Sequence, residues 1–249
     1  MSTPTPKLIY PAPFPGRGEH IRLLLEESGT TYTEGTIEEF QALKSVDSVG
    51  DKRNTPLFAP PFLQYGDLTI NQTPNILLFL AQKFNLAGDP SDPHTVCRLN
   101  GLVLTALDGF SDEIHGCHHP LGGNFYYEDM KAESLARSKD YVKNRLPLFL
   151  GYFQRVLKGE ASGEGPWLHA GMFTYADLTL FSCLSGTRHQ FPKAFQRAEE
   201  SGKYDLVFKL YKAVHNRPRI KAYLESERRR KYGNGIYRHY PELDVDPEV

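Results

Sequence analysis

The first third of the chain alternates short apolar runs with turn-forming residues. The run 7–10 predicts a strand, and the leucine-rich segment 17–28, which stops at Gly29, predicts a helix. Residues 31–36 are rich in β-forming types and predict a second strand. This order of elements indicates a β-α-β unit.

A hairpin and a further helix follow after a loose stretch. The apolar runs 62–65 and 68–70 flank a Gly-Asp pair, which is a two-residue turn signal. Thr73 then predicts a helix N-cap, with Pro74 at the first helical position, where its missing N–H is not needed. Together with the preceding unit, this hairpin and helix predict a mixed sheet with helices packed against it.

The rest of the chain has a helical pattern. Residues 86–93 combine Gly, Ser and two Asp-Pro pairs and predict a linker, and Arg217-Pro218 predicts a break between the last two helices. We therefore predict an α+β protein with a small α/β domain over 1–85 and an all-α helical domain over 94–249. The predicted helices of the second domain are 95–115, 128–157, 174–190, 204–215 and 219–227.

The composition is that of an ordinary globular protein. The chain has 29 basic and 30 acidic residues and is 40% hydrophobic, so neither nucleic-acid nor membrane binding is expected. The basic run Arg228 to Lys231 precedes an acidic tail and predicts a solvated face. No segment has the length and apolar purity of a membrane span, and residues 1–7 lack the apolar core of a signal peptide. Three widely spaced cysteines without a C-x-x-C pair predict reduced thiols and a cytoplasmic location.

The junction of the first strand and the first helix has one candidate catalytic group. Between Lys7 and Glu27 there is no serine, threonine or cysteine, so Tyr10 is the only hydroxyl or thiol there. Any chemistry at this turn would therefore use Tyr10. A packing role at the end of a strand is the alternative interpretation.

Three motifs resemble those of cytosolic glutathione transferases, which combine a thioredoxin-like domain with an all-helical domain. Tyr10 with residues 16–22 is similar to the strand, turn and first helix of the tyrosine-type classes, in a divergent form. Residues 59–73 resemble the family segment of cis-proline, hairpin and glutamine-serine/threonine pair, and residues 173–178 resemble its capped helix. Each motif is weak alone, but three in order over nearly the whole chain are specific.

The resemblance implies that Tyr10 stabilises the thiolate of glutathione, which is then a co-substrate, and no cofactor is expected. A thiol with a pKa of about 8.5 must fall below about 7 to be mostly ionised, a shift worth roughly 2 kcal/mol. One hydrogen bond to a charged acceptor contributes about 1.5 to 3 kcal/mol, so the Tyr10 hydroxyl could supply most of that shift as a donor. The turn 11–15 is one residue longer than in the tyrosine-type classes it most resembles, so the direction of this hydroxyl has to be determined.

Further residues implied to bind glutathione flank Tyr10. The resemblance puts a cis bond before Pro61, which turns the carbonyl of Pro60 toward the cysteinyl backbone of glutathione. Pro60 has no N–H, so it can accept a hydrogen bond from glutathione but cannot return one. Gln72 and Thr73 lie at a helix N-terminus, which favours the γ-glutamyl carboxylate, although Thr73 also suits a plain N-cap.

Charged residues complete the implied site. Asp112 resembles the acid that reaches the γ-glutamyl amine in the partner subunit's site, which implies a homodimer, and a solvated helix carboxylate is the alternative. Arg17 and Lys52 are predicted to bind the carboxylates of glutathione. Lys44 or Arg53 could replace Lys52, because the sequence around them has no clear pattern.

Two further predictions concern structure in the second half. In Thr174-x-x-Asp177 the hydroxyl and the carboxylate satisfy each other's backbone donors as a capping box, so Asp177 is predicted to be structural. Residues 244–249 are predicted to be frayed. The apolar residues predicted to fold the tail back over the helices are Tyr232, Ile236, Tyr237 and Tyr240.

A histidine-rich segment does not follow the family pattern. His115 and His119 are four residues apart, a spacing that suits a metal on one helix face, but Gly116 and Pro120 weaken that helix, so no metal is expected. A second-substrate pocket is the favoured interpretation, and packing at a helix end is the alternative. The residues predicted to form this pocket are Phe14, His115, His119, Phe125 and Tyr126.

The sequence thus predicts a cytoplasmic, homodimeric glutathione transferase. It would conjugate the glutathione thiolate to a hydrophobic, aromatic electrophile in a detoxification reaction. A non-catalytic ligand-binding protein on the same fold is the alternative. A thiol-disulfide reductase is disfavoured because it needs a cysteine where Tyr10 stands.

Overall fold

A four-stranded mixed sheet forms the first part of the chain in the computed structural model, which describes residues 3–45, 47–122 and 125–246. The sheet order is β2-β1-β3-β4; β1 pairs parallel with β2 and antiparallel with β3, and β3 pairs antiparallel with β4. The predicted hairpin is confirmed, whereas the second strand is much shorter than the predicted 31–36. The strands are β1 (Lys7–Ile9), β2 (Thr33–Glu34), β3 (Phe62–Tyr65) and β4 (Leu68–Asn71).

Three helices accompany the sheet: α1 (Gly18–Ser28), α2 (Ile37–Leu43) and α3 (Thr73–Lys83). α1 ends at Gly29 as predicted, in the left-handed conformation that glycine adopts without strain, with a φ of 71°. The sequence pattern did not predict α2. None of its residues is fully buried, so it lacks the apolar stripe that marks a helix in a sequence.

The second part of the described chain consists of helices, apart from one isolated β-bridge. The π-helical segments Asp108–Asp112 and Tyr141–Arg145 each join two α-helices end to end. Within the described residues, no helix is long and apolar enough to cross a membrane. The α-helices are α4 (Thr95–Leu107), α5 (Glu113–Gly116), α6 (Lys131–Asp140), α7 (Leu146–Lys158), α8 (Tyr175–Gln190), α9 (Pro192–Glu200), α10 (Asp205–His215) and α11 (Pro218–Leu224), and the short 3-10 helices are Tyr127–Asp129, Glu160–Ser162 and Pro241–Leu243.

The two parts pack together through α1, which contacts α3 of its own part and α8 and α11 of the other. α8 is buried along most of its length, and it begins with the predicted capping box between Thr174 and Asp177. The predicted linker 86–93 lies between α3 and α4. The sheet and the helical part therefore share a continuous core.

The segment after α11 folds back over both parts of the chain. The apolar residues of 232–240 pack into or against the core, as predicted. Asp244 was predicted to be frayed, but it is 2% exposed and accepts hydrogen bonds from the backbone N–H groups of Lys193 (2.7 Å) and Ala194 (3.1 Å) at the start of α9. The prediction is wrong there because a cap supplied from a distant part of the chain leaves no local pattern. The carbonyl oxygen of Val245 also accepts a hydrogen bond of 3.0 Å from Arg197, and residues 247–249 lie outside the described residues.

α1 buries a histidine without a hydrogen-bond partner. His20 is 1% exposed, and neither ring nitrogen has a partner among the described residues. Burial, with a smaller contribution from Arg17, lowers the pKa of His20 to about 3. The ring is therefore neutral at pH 7, and protonation accompanies unfolding in acid.

We expect His20→Leu to leave the free energy of unfolding at pH 7 within about 1 kcal/mol of the wild-type value, because leucine has a similar volume and no unpaired polar atoms. The pKa of histidine is near 6.5 in the unfolded chain and lower in the folded one. As the pH falls below 6.5, the unfolded chain therefore binds a proton at His20 that the folded chain does not, and the free energy of unfolding falls. Urea unfolding should therefore show a smaller loss of stability between pH 7 and about pH 5 in the variant than in the wild type. Equal losses would contradict a buried neutral His20.

Candidate active site

The strand register brings three predicted site residues together at one end of the sheet. Because β3 is antiparallel to both β1 and β4, the residue after β1, the residue before β3 and the residue after β4 are neighbours. These residues are Tyr10, Pro61 and Gln72. The peptide bond between Pro60 and Pro61 is cis, as the resemblance implied.

The side chain of Tyr10 lies against the turn between β1 and α1. A Cβ added at Gly16 would fall 2.1 Å from the Tyr10 Oη, and one at Gly18 would fall 2.9 Å from the ring, so glycine permits this close approach. The Oη accepts a hydrogen bond of 3.3 Å from the backbone N–H of Arg17. Burial raises the pKa of Tyr10, against the opposing effects of the Arg17 N–H and nearby arginines. The hydroxyl is therefore protonated at pH 7 and can donate to a ligand.

Thr73 does not cap α3, contrary to the prediction. Gln72 occupies the cap position with a φ of 70°, which is unusual for a residue other than glycine. Thr73 is instead the first residue of the helix, and its hydroxyl is buried without a partner among the described residues. An unpaired buried hydroxyl beside the free N–H groups of a helix N-terminus suits a carboxylate ligand.

Arg17 and Asp112 form an ion pair that joins the two parts of the chain. Arg17 lies in the turn before α1, and Asp112 lies at the end of the π-helical segment after α4. Both side chains are partly exposed. The sequence predicted them as separate glutathione ligands, and the structure puts them in direct contact beside the Tyr10 turn.

The remaining candidates for a carboxylate contact lie between α2 and β3. Arg53 pairs with Asp67 in the β3–β4 turn, and the ammonium group of Lys44 lies 5.6 Å from the centre of the Phe40 ring. Lys52 is exposed on the same segment. Lys44 and Arg53 thus have other contacts, and the role of Lys52 stays a prediction.

Three of the five residues predicted for a second-substrate pocket line one cavity. His119, Phe125 and Tyr126 border a cavity of about 620 Å³. His115 stacks on His119, with ring centroids 4.8 Å apart, and Phe14 packs against the backbone at Gly235. Sequence reasoning missed the wall that the tail contributes. The residues of this wall are Asn234, Arg238 and Tyr240.

Three consecutive arginines form ion pairs between the tail and the first part of the chain. The prediction that this basic run is a solvated face is therefore wrong. The partners are carboxylates of α1 and β2, which lie near the tail only in the folded chain. The sequence shows the run of charges but not these distant acids. The pairs are Arg228–Glu26, Arg229–Glu19 and Arg230–Glu34.

Arg230 also holds the backbone of the turn that carries Tyr10. Its Nη1 donates to the carbonyl oxygen of Tyr10 at 2.9 Å and to that of Ala12, while its Nη2 contacts Glu34. Its side chain is mostly buried. Local patterning could not have predicted these contacts, since they join residues 230 and 10.

The sheet, the cis-proline and the helical second part together define a thioredoxin-like domain followed by an all-helical domain. The solved Pi-class glutathione S-transferase of Onchocerca volvulus has the same fold, with a TM-score of 0.64 over 89% of this chain and 92% of that one at 23% identity. The fold class predicted from the sequence is confirmed.

Sequence comparisons show the same similarity. A family model described as "Glutathione S-transferase, C-terminal domain" matches residues 115–227. A glutathione S-transferase of Dirofilaria immitis is 29% identical over 235 residues, which are 92% of this chain and 98% of the relative. Glutathione S-transferase P 1 of Xenopus laevis is 25% identical over 219 residues, 88% of this chain and 92% of the relative. The chain is therefore similar to cytosolic glutathione transferases over nearly its whole length, as its motifs predicted.

Proposed function

We propose that the protein conjugates the thiolate of glutathione to a hydrophobic, aromatic electrophile, with the Tyr10 hydroxyl as hydrogen-bond donor to the sulfur. The observation that carries this proposal is the position of Tyr10 beside cis-Pro61 and the N-terminus of α3. Similarity to glutathione transferases supports glutathione as the thiol. Cytoplasmic detoxification is the physiological role that we propose for this reaction.

In the proposed reaction the thiol proton leaves for solvent and the Tyr10 hydroxyl stabilises the sulfur anion. The hydrogen bond from the Arg17 N–H to the Tyr10 oxygen polarises the hydroxyl and makes it a better donor. The thiolate then attacks the electrophilic carbon, a carbon–sulfur bond forms, and the leaving group departs with its electron pair. No step requires a cofactor.

The proposed glutathione contacts follow from the polar groups around Tyr10. The carbonyl of Pro60 would accept from the cysteinyl N–H, and Gln72 with Thr73 would hold the γ-glutamyl carboxylate at the start of α3. Arg17 and Lys52 would attract the carboxylates of glutathione. Asp112 would bind the γ-glutamyl amine in the partner subunit's site.

We propose a homodimer, which the exposed Asp112 and several exposed apolar side chains support. Phe58 near the cis-proline is 82% exposed, and Leu104 of α4 and Leu148 of α7 are also exposed. Large exposed apolar side chains favour burial against a partner. Sedimentation equilibrium should give twice the mass of the chain, and a monomer at micromolar concentration would contradict the proposed dimer.

The second substrate would bind in the cavity lined by His119, Phe125 and Tyr126. Aromatic rings on one wall and the Arg238 side chain on the other suit a flat electrophile that carries polar or anionic substituents. Phe14 and His115 would support the walls of this cavity from outside, Phe14 by packing against Gly235 and His115 by stacking on His119.

The proposal is tested by mixing the purified protein with glutathione and an activated chloronitrobenzene. We expect thioether formation that saturates in both substrates. The second candidate function is non-catalytic ligand binding, which is favoured by a separate cavity of about 1000 Å³ between α8, α10 and the tail. Aromatic and basic side chains line it together with Glu225 and Glu227. Saturable binding of apolar anions without conjugation of any electrophile in a broad panel would support that candidate instead.

Arg230→Gln is expected to lower the rate of conjugation about fivefold to tenfold, because the variant loses a charged donor to the carbonyls of the Tyr10 turn. Steady-state kinetics would measure the change. Arg228→Gln is the matched control, since Arg228 pairs with Glu26 and lies over the Tyr223 ring, has no hydrogen bond to the Tyr10 turn among the described residues, and is mostly exposed. Equal rates for the two variants would mean that the contact with the turn is not needed for activity.

A further inference from the structure

Three histidines meet where α5 ends. His115 lies on α5, His118 and His119 follow it, and one nitrogen atom of each ring lies within 4.8 Å of those of the other two. The sequence suggested His115 and His119 on one helix face, with Cys117 and Asp112 nearby. The structure ends that helix at Gly116 and brings His118 in as a third member.

The spacing of the rings matches that of imidazoles that share one metal ion. The ring centroids are 5.0 Å apart for His115 and His118, 4.8 Å for His115 and His119, and 4.7 Å for His118 and His119. Nitrogen ligands at about 2.0–2.1 Å from a tetrahedral Zn²⁺ put the ring centres about 5 Å apart. The ring centres therefore have about the separation that such a centre needs, and the ring nitrogens, which lie within 4.8 Å of one another, would move to about 3.3 Å apart on binding.

Two of the ring nitrogens share a short hydrogen bond, which an ion would replace. Nδ1 of His118 and Nδ1 of His119 are 2.6 Å apart, the distance of a hydrogen bond between one protonated and one unprotonated ring nitrogen. Two nitrogen ligands of a tetrahedral ion lie about 3.3 Å apart. An ion would take the place of the proton between them, which would move from Nδ1 to Nε2 of the neutral His119 ring, and the contact would widen by less than about 1 Å.

A backbone carbonyl fixes the orientation of His118. Its Nε2 lies 2.9 Å from the carbonyl oxygen of Ile236 in the tail, so Nε2 carries the proton and Nδ1 keeps its lone pair. A carbonyl that accepts from the far nitrogen is the usual support of a metal-bound histidine. His118 is fully buried, which prevents the ring from turning away.

The surroundings set the expected strength of binding. Burial is the main reason that the pKa of His118 falls to about 3 and that of His115 to about 4, so both rings are neutral at pH 7. Arg17, Arg137 and Arg238 lie near enough to contribute to these shifts and would also repel a dication. We therefore expect weaker binding than at a structural zinc site.

We propose that His115, His118 and His119 form a site for a borderline divalent ion such as Zn²⁺, held by three imidazole nitrogens with a fourth position left for water or another ligand. This site borders the proposed second-substrate cavity, which His119 lines, and uses none of the residues proposed to bind glutathione. An ion here would also tie the end of α5 to the tail through the contact between His118 and Ile236.

The test uses the full, untagged chain, stripped with a chelator and dialysed against Zn²⁺. Metal analysis should find one ion per chain, and the double variant with His115→Gln and His119→Gln should bind at least about tenfold more weakly. His94→Gln is the control, because His94 is exposed before α4 and its side chain makes no cap hydrogen bond. Circular dichroism checks that the variants fold.

X-ray absorption of Zn²⁺ bound to the unaltered protein gives an independent result. We expect nitrogen scatterers at about 2.0–2.1 Å and no sulfur. The proposal is overturned if the wild type binds no Zn²⁺, if sulfur ligates the ion, or if a folded double variant binds as tightly as the His94→Gln control. The three rings would then be a hydrogen-bonded cluster only.

Discussion

Asp177→Ala is expected to lower the free energy of unfolding by about 3 to 5 kcal/mol. Asp177 is fully buried and accepts hydrogen bonds from the backbone N–H of Leu168 (2.9 Å), the backbone N–H of Thr174 (2.7 Å) and the Thr174 hydroxyl (3.0 Å). Alanine would leave these donors unpaired in the core. Urea unfolding followed by circular dichroism measures the loss.

Asp177→Asn is the matched control for this variant. Its remaining carbonyl oxygen can keep part of the network, so its loss of stability should be clearly smaller. Both variants should bind glutathione with wild-type affinity under conditions in which they are folded. A variant of Asp177 that folds normally but has lost glutathione binding would overturn the structural role.

Tyr10→Phe is expected to lower kcat/KM for conjugation by about 10-fold to 150-fold, which corresponds to one charge-assisted hydrogen bond of about 1.5 to 3 kcal/mol. The phenyl ring keeps the packing against Gly16 and Gly18, so the variant removes the hydroxyl and little else. Glutathione affinity should therefore change little. Steady-state kinetics and calorimetric titration of glutathione measure the two effects.

Tyr65→Phe serves as the control for removal of a hydroxyl from the same sheet. Tyr65 is a half-buried residue of β3, and its ring packs edge-on against Phe79. Loss of the Tyr65 hydroxyl should leave kcat/KM for conjugation unchanged. Full activity in Tyr10→Phe would remove Tyr10 from the mechanism.

The fold could be predicted where its determinants are local. A Gly-Asp turn between apolar runs, a glycine stop at Gly29 and the capping box at Thr174 each act within a few residues, and the structure contains all three. α2 lacked a buried face, and the Asp244 cap of α9 comes from the far end of the chain. The sequence marks the start of α2 only by the capping box Thr36-x-x-Glu39, which was missed, and it carries no sign of the distant cap of α9.

The same difference between local and distant determinants separates the site residues that could be predicted from those that could not. Tyr10, Pro61 and Gln72 could be named from motifs, and the antiparallel register explains why they meet. Arg230 and His118 could not, because their partners are Tyr10 and Ile236, which are distant in the chain. The pairing of Arg17 with Asp112 likewise depends on how the two parts pack.

Ionisation of glutathione on the protein is the most direct test of the role of Tyr10. The ultraviolet difference absorbance of the thiolate, followed against pH with saturating glutathione, gives the pKa of the bound thiol. If Tyr10 donates to the sulfur, this pKa should lie below about 7 in the wild type and return toward about 8.5 in Tyr10→Phe. The same pKa in both proteins would contradict thiolate stabilisation by Tyr10.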